Sequence, residues 1–154
     1  MKNLLLASLL VLTFIQPSFS AGSSGDSSAS KTDYEKAVKY VKQAKKYEEK
    51  GKTDKAQKRY KKAQKLLITS NTEIPNKADT LNYLGFTTRK LGDFETGEKY
   101  YLEGLAIEPN HIGINEYLGE LYVVTGRIDL AKERLDILKN CNCEEFQELK
   151  EIIE

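Results

Sequence analysis

Large apolar, small and turn-forming residues recur along this chain at an interval of 34 residues. Counting from Ala78, Leu84-Gly85 fall at positions 7 and 8, Gly92 at 15, Tyr101 at 24 and Pro109 at 32. Counting from Ile112, Leu118-Gly119, Gly126 and Leu135 fall at the same positions 7, 8, 15 and 24. A period of this length marks one supersecondary unit that is stacked, each copy burying a face it could not bury alone. Leu beside Gly at 7 and 8 sets a large side chain next to a missing one, so a second helix can come close. Gly at 15 suits the turn out of the first helix. The predicted unit is a helical hairpin. An earlier copy follows from the phase: with Gly51 at 15, Tyr47 stands at 11, Ala56 at 20, Tyr60 at 24 and Ala63 at 27. That copy starts at Ala37, has Ala44 at position 8, and is followed by seven extra residues that lengthen the connection from Thr69 to Lys77.

With Tyr122 near position 11 and small residues at 20 (Gly97, Ala131), the pattern resembles the tetratricopeptide repeat (TPR) family. Position 4 holds Leu81 and Asn115 where that family favours Trp, and Thr88 replaces the aromatic at 11 in the middle copy. The resemblance implies an all-α solenoid of about three hairpins, over residues 37–70, 78–111 and 112–145, closed by a capping helix near 143–154. In that helix Asn142 and Glu145 have the spacing of a capping box, and Phe146, Leu149, Ile152 and Ile153 form an apolar stripe. Glu144, Glu148, Lys150 and Glu151 give it a polar outer face, as the end of a stacked array requires.

Residues 1–20 carry a different pattern. Lys2 precedes an apolar run from Leu4 to Ile15, Pro17 breaks it, and Ser18-Phe19-Ser20 offers small residues for cleavage before Ala21. Twelve residues at ~1.5 Å each span roughly 18 Å, short of a ~30 Å hydrocarbon core, so the reading is a cleaved secretory signal. The Ser- and Gly-rich stretch 21–30 is then a flexible leader, and residues 31–154 form one domain, exported to a periplasm or beyond the cell.

Charge divides the chain. Residues 31–65 hold fourteen Lys and Arg against five Asp and Glu, whereas residues 91–154 hold six against fifteen. In a solenoid sequence order is spatial order, so one end is basic and the other acidic. Four uses fit: solvation alone, attraction of the basic first repeat to anionic lipid at a membrane surface or to an anionic polymer, head-to-tail self-association of opposite ends, or steering of a charged partner. Nucleic acid is not an expected partner, since no nucleic-acid-binding motif accompanies the lysines.

Catalytic constellations are absent from the sequence. His111 is a lone histidine read as an exposed loop residue, and no phosphate loop, dinucleotide fingerprint or nucleophile elbow occurs. The expectation is a protein that is not an enzyme and needs no cofactor or metal. Cys141 and Cys143 can close a local disulfide at the turn before the last helix, remain thiols, or serve redox or metal chemistry.

In the TPR family the first helix of each repeat lines a concave groove that takes peptides, with positions 2, 5, 9, 12 and 13 facing it. Carried over, the resemblance implies Val38, Val41, Lys45, Glu48 and Glu49 in the first copy. It implies Asp79, Asn82, Phe86, Arg89 and Lys90 in the second, and Gly113, Glu116, Glu120, Val123 and Val124 in the third. Asn82, Phe86 and Arg89 form one helical stripe of amide, ring and cation, suited to a peptide backbone and a carboxylate. Packing of Phe86 against a neighbouring hairpin is the other reading. The basic clamp by which some TPR domains hold a chaperone carboxylate is missing, because its positions hold Val41, Lys45, Tyr83, Gly113 and Tyr117. The expected function is a scaffold for a protein or peptide partner, with Lys45, Asn82, Phe86, Arg89, Lys90, Glu116 and Glu120 as contact residues.

Overall fold

The structure is a computed structural model that describes residues 32–154. The signal and leader expected over residues 1–30 lie outside the described residues. Three antiparallel hairpins follow in order: α1 (Asp33–Glu48) with α2 (Thr53–Glu73), α3 (Ala78–Lys90) with α4 (Phe94–Ile107), and α5 (Ile112–Val124) with α6 (Ile128–Leu138). A seventh helix, α7 (Glu144–Ile153), closes the array. Each hairpin touches its neighbours, and α7 rests on α5 and α6.

Local chemistry fixes the helix ends. Thr32 and Glu35 form a reciprocal capping box at α1, and Asp93 accepts the Thr96 N–H at the start of α4. Gly51, Gly92 and Gly126 turn each first helix into its second at φ 63°, 97° and 76°, where a side chain would be strained.

The core is built from the repeated positions. Ala37, Val41 and Ala44 of α1 bury against Ala56, Tyr60, Ala63 and Leu67 of α2. In the second hairpin Tyr101 lies over Gly85 so closely that an added Cβ would stand 2.5 Å from its ring. Gly104 gives the same room to Ile114, and Gly119 to Leu149 of α7. Where Thr88 replaces the aromatic of position 11, Gln64 of α2 donates to its hydroxyl at 2.8 Å and locks the first two hairpins together. Asn115, in place of the family's Trp, is fully buried and donates to the carbonyls of Pro109 and His111 at 3.0 Å each.

Three local expectations are corrected. The seven extra residues do not lengthen a loop: α2 continues through Glu73, and only Ile74–Lys77 connect it to α3. Seven residues are about two helical turns, so the insertion is absorbed as helix without rotating the apolar face. His111 is not an exposed loop residue. Its Nδ1 accepts the Ile114 N–H at 3.2 Å as the cap of α5, and its Nε2 lies 3.2 Å from Asp79 Oδ1. Asn142 sits at φ 50° between the joined Cys141 and Cys143, and Cys143 takes the cap position without a side-chain bond. The Asn142–Glu145 capping box is therefore not formed.

Candidate functional site

The first helices α1, α3 and α5 lie side by side, which brings one strip of side chains from all three hairpins onto a common surface. Phe86 of α3 is at its centre. Its ring meets Tyr60 edge-on at 5.8 Å and Tyr117 of α5 at 4.7 Å. Lys45 of α1 reaches across it, with Nζ 5.1 Å from the Phe86 ring and 5.2 Å from the Tyr117 ring. The same ammonium donates to the Tyr117 hydroxyl at 3.0 Å. Cations held over aromatic faces are attracted by the ring quadrupole.

Arg89 lies on the same aromatic pair, 5.4 Å from Phe86 and 5.5 Å from Tyr117, and donates to Glu120 Oε2. Burial opposes its charge, but Tyr101 and Glu120 outweigh that and hold its pKa above the ordinary value. Its Nε has no hydrogen-bond partner among the described residues. Lys90 pairs with Glu48 Oε2 at 2.9 Å, and Glu48 in turn accepts the Tyr60 hydroxyl at 2.8 Å.

Glu116 is almost fully buried where α7 crosses α5. Burial first, then a hydrogen bond with Glu148 of α7 and the charge of Glu120, push its carboxyl up to about 9, against a smaller opposing pull from Lys45. At neutral pH it therefore keeps its proton. Burial likewise raises the Tyr117 hydroxyl, with Glu116 and Glu120 adding to it.

Of the seven contact residues named from the sequence, the structure joins Lys45, Phe86, Arg89, Lys90 and Glu120 into one network. Glu116 adjoins it through Glu120. Asn82 stands apart, with its amide in the space left by Gly113: a Cβ there would be 2.8 Å from Nδ2. The Asn82 Oδ1 is buried without a partner among the described residues. Phe86 is 2 % exposed, so it forms the floor of the strip while Lys45 and Glu120 stand higher. Sequence reasoning missed Tyr117 and Glu148. Tyr83 and Tyr117 share position 6 of successive repeats, a signal that was available; Glu148 belongs to the cap and has no repeat position to mark it.

Cys141 and Cys143 form a disulfide across the turn into α7. Among the described residues no group of three or more His, Cys, Asp or Glu is placed to hold a metal ion.

Residues 78–111, which contain α3, α4 and their following turn, match the tetratricopeptide repeat family model. A comparison with curated proteins finds no match. Among solved structures, the first TPR of Spaghetti (RPAP3), bound to the HSP90 peptide SRMEEVD, is 20% identical with a TM-score of 0.50, covering 79% of this chain and 93% of that one. The Yersinia enterocolitica type III secretion chaperone SycD, in complex with a peptide of the translocator YopD, is 16% identical with a TM-score of 0.54, covering 77% and 87%. The first TPR domain of human RPAP3 is 19% identical with a TM-score of 0.51, covering 75% and 88%. This chain is thus an all-α, TPR-like solenoid that carries a tetratricopeptide repeat at residues 78–111.

Proposed function

We propose that the protein is a non-catalytic scaffold that holds a protein or peptide partner against the strip shared by α1, α3 and α5, and that it does so after export. The observation that carries this reading is the network of Lys45, Phe86, Arg89 and Glu120. It joins three successive hairpins on one surface and alternates cation, ring and carboxylate, a surface suited to an extended or helical peptide. Two solved proteins of similar fold carry peptides, which supports the class of partner. Lys45, Lys90 and Glu120 make the outer contacts; Phe86 and Arg89 set their positions from beneath, Glu116 lies beside Glu120, and Asn82 stands apart.

Export rests on the residues ahead of the fold: the apolar run from Leu4 to Ile15 and the small residues before Ala21. Cell fractionation with N-terminal sequencing of the recovered protein tests it, and a chain beginning at Met1 in the cytoplasm would sink it. The strip is tested by immobilising the protein in cell-envelope extract beside a Lys45→Ala/Lys90→Ala variant. Lys45 is exposed and Lys90 half-buried against a half-exposed Glu48, and neither change leaves a buried charge unpaired, so the helical content is expected to stay unchanged while partner capture falls at least tenfold, of the order given by losing two charged contacts. Equal capture by both proteins removes the strip from the reading.

A further inference from the structure

The outer side of the first hairpin faces away from the rest of the array, and it carries a second surface that the concave strip does not use. On α1, Lys39, Tyr40, Gln43, Lys46 and Tyr47 recur at helical spacing along one face, and Lys50 continues it in the turn that follows. Arg59 of α2 comes up against this face, and two shallow clefts of about 420 and 320 Å³ lie in line along the seam. Gln43 and Arg59 line both of them.

No carboxylate lines either cleft. Of the lysines along them, Lys36 alone among the described residues has a carboxylate within ion-pair distance, Asp33 at 2.9 Å. Most cations elsewhere in the described residues are committed to carboxylates: Arg127 to Glu98, Arg89 to Glu120, Lys99 to Glu95 and Lys90 to Glu48. The unneutralised positive charge of the folded protein is therefore concentrated on this one hairpin.

We infer that the outer face of the α1–α2 hairpin docks on an anionic membrane surface, each cleft receiving a lipid phosphate between lysines and the shared Arg59. The shape fits a plane. The two helices, 16 and 21 residues long, run side by side for about 24 Å or more, and the clefts between them are open rather than enclosing. The side chains fit an interface. Lysine stems and half-buried tyrosines present an apolar body and a polar tip, the chemistry that settles at headgroup level. Polybasic surfaces of this size are attracted to anionic leaflets, and the attraction is screened by salt.

A nucleic acid is disfavoured by the state of the rings. Sequence-tolerant binding of single strands needs aromatic faces free to stack on bases. Here Arg59 and Lys62 stand 5.4 and 5.8 Å over Tyr40, and Lys55 stands 6.0 Å over Tyr47. The acidic end of a second copy is the competing occupant, which salt-sensitive self-association without vesicle preference would reveal.

The test is co-flotation of the full chain with phosphatidylcholine vesicles, with and without about one-third phosphatidylglycerol, at low and physiological salt. The apolar run at residues 4–15 acts equally on both lipid mixtures, so the quantity read is the ratio of binding between them. The wild type is expected to prefer the anionic vesicles at least tenfold at low salt and to lose most of that preference as salt rises, in keeping with attraction of several lysines to the surface. A Lys39→Glu/Lys46→Glu/Lys50→Glu variant, at three cleft-lining lysines, abolishes the preference. A Lys58→Glu/Lys61→Glu/Lys65→Glu variant makes the same change of net charge on residues that line neither cleft, and it keeps most of the preference. Equal loss in both variants overturns the assignment to this face. Equal binding of the wild type to both vesicles overturns the proposal, as does salt-sensitive self-association in light scattering without vesicle preference. None of these outcomes depends on capture of a peptide by the concave strip.

Discussion

The first and second hairpins place the same kind of residue at the same repeat position and pack it differently. Tyr60 and Tyr101 both stand at position 24 and both are fully buried. Tyr101 lies directly over Gly85, with no room for a methyl group, and its hydroxyl has no hydrogen-bond partner among the described residues. Tyr60 belongs to a hairpin whose position 8 is Ala44, a residue fully buried with its methyl in place. Its hydroxyl reaches Glu48, and its ring edge meets Phe86 of the next hairpin. The third hairpin departs again: Gly119 at position 8 receives Leu149 of the cap instead of a residue of its own second helix. A repeat period therefore fixes where a close approach occurs and the identity of position 8 decides how close it is, while the elements packed around it decide which helix makes it.

The largest expected effect is at the end where the cap meets Gly119. Leu149 is the buried residue of α7, with Phe146 and Ile153 half-buried and Ile152 44 % exposed. Truncating a buried Leu to Ala removes about 2–5 kcal/mol. Leu149→Ala is expected to release α7, so that amide exchange speeds up over residues 144–153 and along α5, while α1 and α2 keep their protection because solenoid stability is carried between neighbours. Uniform loss of protection across all seven helices would show that the hairpins unfold as one unit.

Reciprocal exchanges at position 8 break the comparison directly. Gly85→Ala gains about 1 kcal/mol of helix propensity but forces a methyl against the buried Tyr101 ring, and overpacking of this kind costs about 1–3 kcal/mol. The net expectation is a lower melting temperature, by a few degrees. Ala44→Gly is expected to cost about 1 kcal/mol through propensity and the lost methyl. A stabilised Gly85→Ala protein would mean that Tyr101 swings aside and that the two hairpins pack alike.

These contacts show which parts of the structure were legible in the sequence. Leu84-Gly85 and Leu118-Gly119 announce the hairpins because a close approach needs a particular residue at a particular place. The turn glycines do so because only glycine tolerates their φ. The fate of the seven extra residues was not legible, since two added turns of polar helix and a polar loop have the same composition. Nor was the cap made by His111, whose role depends on Asp79, a residue 32 positions away. In the concave strip, repeat position placed Lys45, Phe86, Arg89 and Glu120 on one face. It could not tell floor from surface, because Phe86 is covered by Lys45 and Tyr117 from other hairpins.

A smaller effect comes from Glu116, the buried carboxyl between α5 and α7. Its pKa rises from an ordinary 4.5 to about 9, burial being the largest cause, with Glu148 and Glu120 adding to it and Lys45 opposing. Between those values the folded protein holds a proton that the unfolded chain releases, so stability falls as pH rises through that interval and levels off above it. Glu116→Gln keeps the size of the side chain and removes the titration. The variant is expected to match the wild type near pH 4, to melt a few degrees higher at pH 8, and to show a flatter profile between. A wild-type profile flat from pH 5 to 9 would mean that the folded protein does not hold a proton at Glu116 beyond what the unfolded chain holds.

The smallest expected effect is at Cys141 and Cys143, which close the turn between the last hairpin and the cap. A cross-link restrains the unfolded chain less the fewer residues it encloses, and this one encloses a single residue. Reduction should therefore add the mass of two hydrogen atoms to the intact protein and leave the global melting temperature nearly unchanged. Its local consequence differs, because the bond holds Asn142 at φ 50° and sets the direction in which α7 leaves α6. Faster exchange confined to the first turn of α7 is the expected result in the reduced protein. If reduction instead released the whole of α7, as Leu149→Ala is expected to, the cap would be held by its turn more than by its contact with Gly119. The contrast between the hairpins would then rest on the loop and not on the packing.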